Sequence, residues 1–176
     1  DKETGITTFA IKKKVDTGNI LFQKKIVINN SITAGELLED LSFLGADLML
    51  HTVNKIDKDE INPIIQDSKN VSLAPKIKTS DCKIDWNLKA EYVHNKIRAF
   101  SPLPGAYTFY KNKRIKIFNS QIVYDKNICK LLPGHIKYID PYLFIGTSTN
   151  PIKISNIQLE GKKKMSIDTF IIGNQN

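Results

Sequence analysis

Asp16-Thr17-Gly18 is the first place where residue type and spacing suggest chemistry. Asp-Thr-Gly is the core of aspartic-protease sites, in which two such aspartates share one proton. Those sites usually continue with Ser or Ala, whereas Asn19 follows here, and the preceding Lys12-Lys13-Lys14 fits a buried dyad badly. Ile171-Ile172-Gly173 resembles a second protease triplet but lies far too distant in the chain. The plainer reading is a hairpin turn that uses Asp and Gly for their backbone preferences.

Other reactive residues are sparse. His51, His94 and His135 have no metal-ligand spacing, so they read as packing or surface residues and no metal site is expected. Neither a glycine-rich phosphate loop nor a GxSxG elbow occurs. Cys82 and Cys129 stand alone, without a CxxC pair, and read as reduced structural thiols.

Charge says more. The 176-residue chain carries a net +8. Residues 1–66 hold 8 Lys against 10 Asp and Glu, a balance of −2, while residues 67–176 hold 18 Lys and Arg against 8, a balance of +10. Such an asymmetry points to two units, the second facing a polyanion. Only Arg98 and Arg114 are arginines. Lysine meets phosphate as a point charge, without the planar fork of arginine.

The elements that must position these residues follow from periodicity. Ile6–Lys13 and Ile20–Ile28 read as strands joined by a turn at residues 16–19. Thr33-Ala34-Gly35-Glu36 forms a capping box. Behind it Leu37, Leu41, Leu44 and Leu48 make one helical stripe, widened by Leu38, Met49 and Val53, to about Ile56. Residues 57–82 read as a linker broken by Pro63 and Pro75. Asn87 is placed to cap a helix through Phe100, with Ala90, Val93, Ile97 and Phe100 on one face. Ser101-Pro102-Leu103-Pro104-Gly105 stops it. Strands follow at 106–111, 115–124, 135–139, 142–146 and 152–159, with a turn at Asn112-Lys113, and their even spacing predicts a small barrel. No run of 18 apolar residues exists, so no transmembrane helix is expected. The opening Asp1-Lys2-Glu3-Thr4-Gly5 lacks an apolar signal region and leads into a strand, as if the polypeptide began further upstream.

The triplet at Asp16 belongs to an ordered series. Glu3-Thr4-Gly5-Ile6-Thr7, Val15-Asp16-Thr17-Gly18-Asn19-Ile20-Leu21 and Ile32-Thr33 come first. Ser72-Leu73-Ala74-Pro75-Lys76-Ile77, Ile84-Asp85-Trp86, Ile97-Arg98-Ala99-Phe100-Ser101-Pro102 and Pro104-Gly105-Ala106-Tyr107-Thr108 follow. Gly161-Lys162-Lys163-Lys164-Met165-Ser166 closes it. In order and spacing this series resembles the methionyl-tRNA formyltransferases along nearly the whole chain.

The resemblance implies an α/β remnant at 1–56, the strand-turn-strand-helix end of a Rossmann-like formyltransferase domain. A linker at 57–82 and a small OB-like β-barrel domain at 83–176 would follow. It implies formyl transfer from 10-formyltetrahydrofolate, as co-substrate, to the α-amino group of initiator methionyl-tRNA in translation initiation. It implies a cytoplasmic monomer without membrane or metal. The family's catalytic set is an Asn, a His and an Asp; the Asp matches Asp16, and the Asn and His belong to an N-x-H segment upstream of the block at which this sequence begins. The chain by itself is therefore expected to be inactive. Lys111, Lys113, Arg114 and Lys116 cluster at one hairpin, interleaved with Tyr110, Ile115 and Phe118. Lys162, Lys163 and Lys164 form a second cluster, and Lys76 and Lys78 lie in the linker. The resemblance makes these the tRNA phosphate contacts. Three alternatives remain: a folate-dependent sugar formyltransferase, a formyltetrahydrofolate hydrolase relative, and an RNA-binding module without catalysis.

Overall fold

The computed structural model describes residues 1–125, 128 and 131–173. Cys129 lies outside the described residues. Contacts divide the chain into two compact units: residues 1–32 with 36–76, and residues 33–35 with 77–176. Among the described residues no helix is long and apolar enough to cross a membrane.

The first unit is an antiparallel hairpin on a helix. β1 (Glu3–Phe9) pairs with β2 (Ile20–Val27) from Glu3↔Val27 to Thr8↔Phe22. The expected strand through Lys13 stops at Phe9. Three consecutive lysines have no cross-strand acids to face, and Lys12 donates instead to Asn19 Oδ1 at 3.0 Å. Residues 10–19 therefore form a long connection, closed where the Ala10 amide donates to the Asn19 carbonyl at 2.9 Å.

α1 (Ala34–Asp57) begins directly after Thr33, where the capping box places it. Leu37, Leu41 and Leu44 are half-buried and Leu48 is buried, as the stripe predicts. Leu38, Met49 and Val53 do not widen it; they are 66%, 54% and 53% exposed, because two strands cover only a narrow band of the helix. Thr52 donates to the Leu48 carbonyl at 2.7 Å, so Thr8, 2.9 Å away, is the donor in the contact that joins strand to helix. Residues of the expected linker return to this unit: Ile64 and Ile20 exchange two backbone hydrogen bonds of 2.8 Å.

In the second unit α2 (Ala90–Ala99) presents Ala90, Val93 and Ile97 to the core. Asn87 is not its cap. Asp85 Oδ1 accepts from both the backbone and side-chain amides of Asn87, each at 3.0 Å. The free amide of Ala90 is instead taken up by Thr149 Oγ1 at 3.0 Å, from a loop far along the chain. Gly105, at φ +89°, turns the chain out of the proline segment.

Among the described residues six antiparallel strands follow: β3 (Ala106–Tyr110), β4 (Lys113–Ile122), β5 (Ile136–Ile139), β6 (Tyr142–Ile145), β7 (Ile152–Leu159) and β8 (Met165–Ser166). The path runs β3-β4-β7-β6-β5, with β8 against β7. The hairpin tip is Lys111-Asn112, one residue earlier than expected; both have positive φ, which gives the primed turn that suits the strand twist. A short α3 (Ile167–Ile172), capped by Ser166, ends the described chain and was not expected.

The expected barrel is not closed. Among the described residues no ladder joins β5 to β3, and β5 is short, exposed and paired with β6 alone. The sheet curls instead around an apolar cavity of about 130 Å³, lined in part by Trp86, Tyr110, Ile136 and Phe170. The packed core lies beside it, where Val93 and Ile97 meet Ile117, Ile152, Ile154 and Ile167. Ile97 is 0% exposed. Ile97→Ala should cost about 2–5 kcal/mol by removing buried methyl groups and leaving a cavity. Urea unfolding should show a lower midpoint at an unchanged slope; a loss well under about 1 kcal/mol would contradict this packing.

Candidate functional site

Asp16 sits at the tip of the 10–19 connection in a left-handed conformation, φ +56°. Such φ values are uncommon for residues other than glycine, and Asp is among the side chains that tolerate them. Two residues on, Gly18 is buried against the opposite limb of the loop. A Cβ there would lie 1.5 Å from the Ala10 carbonyl oxygen, so only glycine fits. Thr17 Oγ1 donates to the Lys14 carbonyl at 2.8 Å and tightens the limb between. The Asp16 side chain is left exposed.

One further group holds this loop. Gln66 Nε2 donates to the Asp16 carbonyl at 3.1 Å and to the Gly18 carbonyl at 2.6 Å. Sequence reasoning missed Gln66, which lies in the expected linker, and no local pattern marks a partner so far along the chain.

The basic residues of the second unit assemble by strand register. Tyr107 pairs with Lys116 and Phe109 with Arg114, so these four share one face. Ala106, Ile115 and Ile117 face the core. The Arg114 guanidinium lies 5.1 Å from the Tyr107 ring centroid, and its Nε is buried without a hydrogen-bond partner among the described residues. Lys78, Arg114 and Lys116 line one cleft of about 190 Å³ with Tyr107 and Gly105. Arg114 and Lys116 also line a second, of about 200 Å³, with Gln158 and Glu160. Gln158, directly across from Lys116, donates to the Lys162 carbonyl at 2.8 Å. This bond fixes the turn that carries Lys162, Lys163 and Lys164, all exposed. Lys164 Nζ lies 5.0 Å from the ring of Phe118.

The structure thus brings Lys78, Arg114 and Lys116 together and ties the 162–164 turn to the strand beside them. Lys111 sits at the hairpin tip and Lys113 just after it, with Lys111 Nζ 5.6 Å from the Tyr110 ring. Lys76 is exposed and belongs to the first unit. Of the interleaved apolar residues, Ile115 and Phe118 are buried. Tyr107 and Phe109 share the face with Arg114 and Lys116, and Lys83 Nζ lies 5.9 Å from the Phe109 ring.

The histidines take packing roles where contacts are seen. His51 meets the Phe22 ring at 4.7 Å and His94 Nδ1 lies 2.9 Å from Ser120 Oγ. Cys82 is buried and lines the Lys78 cleft, and burial pushes its thiol pKa up, away from the reactive thiolate.

The family model described as "Formyl transferase, C-terminal domain" matches residues 76–175. A methionyl-tRNA formyltransferase of Carboxydothermus hydrogenoformans is 36% identical over 98% of this chain and 56% of its own length. One of Thermodesulfovibrio yellowstonii is 39% identical over 98% of this chain and 54% of its own. The chain spans about half the length of these curated relatives. Among solved structures, HypX from Aquifex aeolicus in complex with tetrahydrofolic acid superposes with a TM-score of 0.77 at 17% identity. That match covers 97% of this chain and 30% of HypX, and at such identity it speaks for the fold alone.

Proposed function

This chain belongs to the formyl transferase family, and we propose that it forms the tRNA-holding part of a methionyl-tRNA formyltransferase together with one catalytic carboxylate, Asp16. The observation that carries the reading is the extent of the match. Identities of 36% and 39% to proteins of that name run over 98% of the chain, and so span both the Asp16 loop and the basic face.

The reaction joins the methionine α-nitrogen of initiator methionyl-tRNA to the formyl carbon of 10-formyltetrahydrofolate. The bond from that carbon to N10 breaks, and the proton lost by the amine ends on the folate nitrogen. Negative charge gathers on the formyl oxygen in the tetrahedral intermediate and calls for donors aimed at it. The family resemblance assigns those donors to an Asn and a His outside these 176 residues. Asp16 has the complementary task. Its carboxylate orients the His, balances the charged imidazole and accepts the amine proton through water.

The second unit takes the other substrate. Lys78, Lys111, Lys113, Arg114, Lys116, Lys162, Lys163 and Lys164 contact tRNA phosphates, and so does Lys76. Arg114, stacked near Tyr107 with its Nε unsatisfied, is suited to take one phosphate by a planar fork. In this reading residues 1–56 end the catalytic domain, 57–82 link, and 83–176 form the tRNA-binding domain on an OB-like sheet. The protein acts in the cytoplasm as a monomer.

The test is substrate choice. The full-length protein that carries this chain, given 10-formyltetrahydrofolate, should formylate methionyl-tRNA and leave a nucleotide-linked amino sugar untouched. The opposite preference overturns the assignment. Binding of tRNA with no formyl transfer by the full-length protein identifies an RNA-binding module instead.

A further inference from the structure

We infer that Gln66 is a positioning residue for Asp16, setting the direction in which the loop presents its carboxylate. The inference rests on the proposed role of Asp16 and adds to it a residue outside the family's catalytic set.

The argument begins with the backbone. A non-glycine residue at φ +56° is held in a sparsely populated region, and such a conformation persists when surrounding contacts over-determine it. Three contacts within the loop contribute: Ala10 to Asn19, Thr17 to Lys14, and Lys12 to Asn19. None of them touches the Asp16–Thr17 or the Gly18–Asn19 peptide group. Gln66 takes both. Its amide nitrogen has two hydrogens, and one goes to each carbonyl, at 3.1 and 2.6 Å. The bond to the Asp16 carbonyl fixes the Asp16–Thr17 peptide plane, one of the two that flank the Asp16 Cα, and the bond to Gly18 holds the limb beyond it, so together they narrow the directions in which the Asp16 Cα–Cβ bond can point.

Gln66 is itself well anchored. Two residues before it, Ile64 is locked to the first residue of β2 by paired backbone bonds of 2.8 Å. Gln66 is half-buried between exposed Ile65 and Asp67, so its side chain turns inward to the loop. A glutamine that met only solvent would need neither feature.

The experiment uses the full-length protein and compares Gln66→Ala, Gln66→Glu and Asp16→Asn in steady-state formylation of methionyl-tRNA. For Gln66→Ala, kcat should fall about 10²-fold, the scale of an ångström-sized misplacement of a catalytic group. KM for methionyl-tRNA should stay within about twofold. Gln66→Glu keeps the shape but turns a carboxylate toward two carbonyls. It should be slower than Gln66→Ala at pH 8 and recover relative to wild type toward pH 5, as a protonated carboxyl regains one donor. The Gln66→Ala ratio to wild type should stay flat over that range.

Two results overturn the inference while the Asp16 reading stands: a Gln66→Ala enzyme with kcat near wild type beside a crippled Asp16→Asn, or losses in kcat, KM and thermal stability together with no pH-dependent recovery in Gln66→Glu. An Asp16→Asn enzyme with normal turnover removes the reading and the inference with it.

Discussion

Asp16→Asn in the full-length protein is expected to lower kcat by about 10²–10⁴-fold while leaving the fold intact, the range for loss of a positioned acid–base group. Asn has nearly the same shape as Asp and tolerates the left-handed conformation that Asp16 adopts at φ +56°. The loop should not respond to the change, because Gln66 bonds the backbone carbonyls of Asp16 and Gly18 and not the carboxylate. What disappears is the charge and the proton acceptor. Each tenfold loss in rate is about 1.4 kcal/mol of transition-state stabilisation. Single-turnover formylation with saturating methionyl-tRNA isolates this step from binding, and circular dichroism confirms the fold. Turnover within a fewfold of wild type would refute the assignment.

Binding of tRNA to the chain should weaken steeply with salt, and changing Lys78, Arg114 and Lys116 together to Gln should flatten that response. Each phosphate contact contributes about 0.9 to the slope of log affinity against log salt, because each releases condensed counterions. That slope makes one contact worth about eightfold between 1 M and 0.1 M salt, so removing three should weaken binding by a few hundredfold near 0.1 M. Arg114 matters beyond its charge. Its stacking near Tyr107 and its unsatisfied Nε belong to the planar guanidinium, so Arg114→Lys should recover only part of the loss. Fluorescence anisotropy with labelled tRNA across a salt series measures the slope directly. A flat response in the unmodified chain would remove the electrostatic account of this face.

Much of the local structure was legible because it obeys short-range rules. Leu37, Leu41, Leu44 and Leu48 fall at helical spacing, and α1 buries that stripe. Ala90, Val93 and Ile97 do the same in α2. Failures cluster where a distant residue decides a local question. Asn87 is a good cap by type, yet Thr149 reaches the Ala90 amide and Asp85 occupies Asn87. The hairpin tip was misplaced by one residue because Lys111, an unfavourable residue for positive φ, takes one of the two turn positions. Register decides the rest. Tyr107 and Phe109 join Arg114 and Lys116 only through cross-strand pairing, which no linear pattern reveals. Barrel closure failed as an expectation for the same reason, since strand spacing says nothing about whether β5 reaches β3. At the site, Asp16 could be singled out only through the ordered series around it, for its triplet alone is an ordinary turn. Gln66 left no trace because its partners lie 48 and 50 positions earlier.

That separation also has a consequence in time. A nascent chain leaving the ribosome carries Asp16 well before Gln66, and synthesis adds about 5–20 residues per second. The 50 residues from Thr17 to Gln66 therefore take roughly 2.5–10 s to appear at that pace. Hairpins form in microseconds, so β1 and β2 are free to pair long before then. For those seconds the growing polypeptide holds its Asp16 loop unfastened, and fastening is among the last events in the maturation of the first unit.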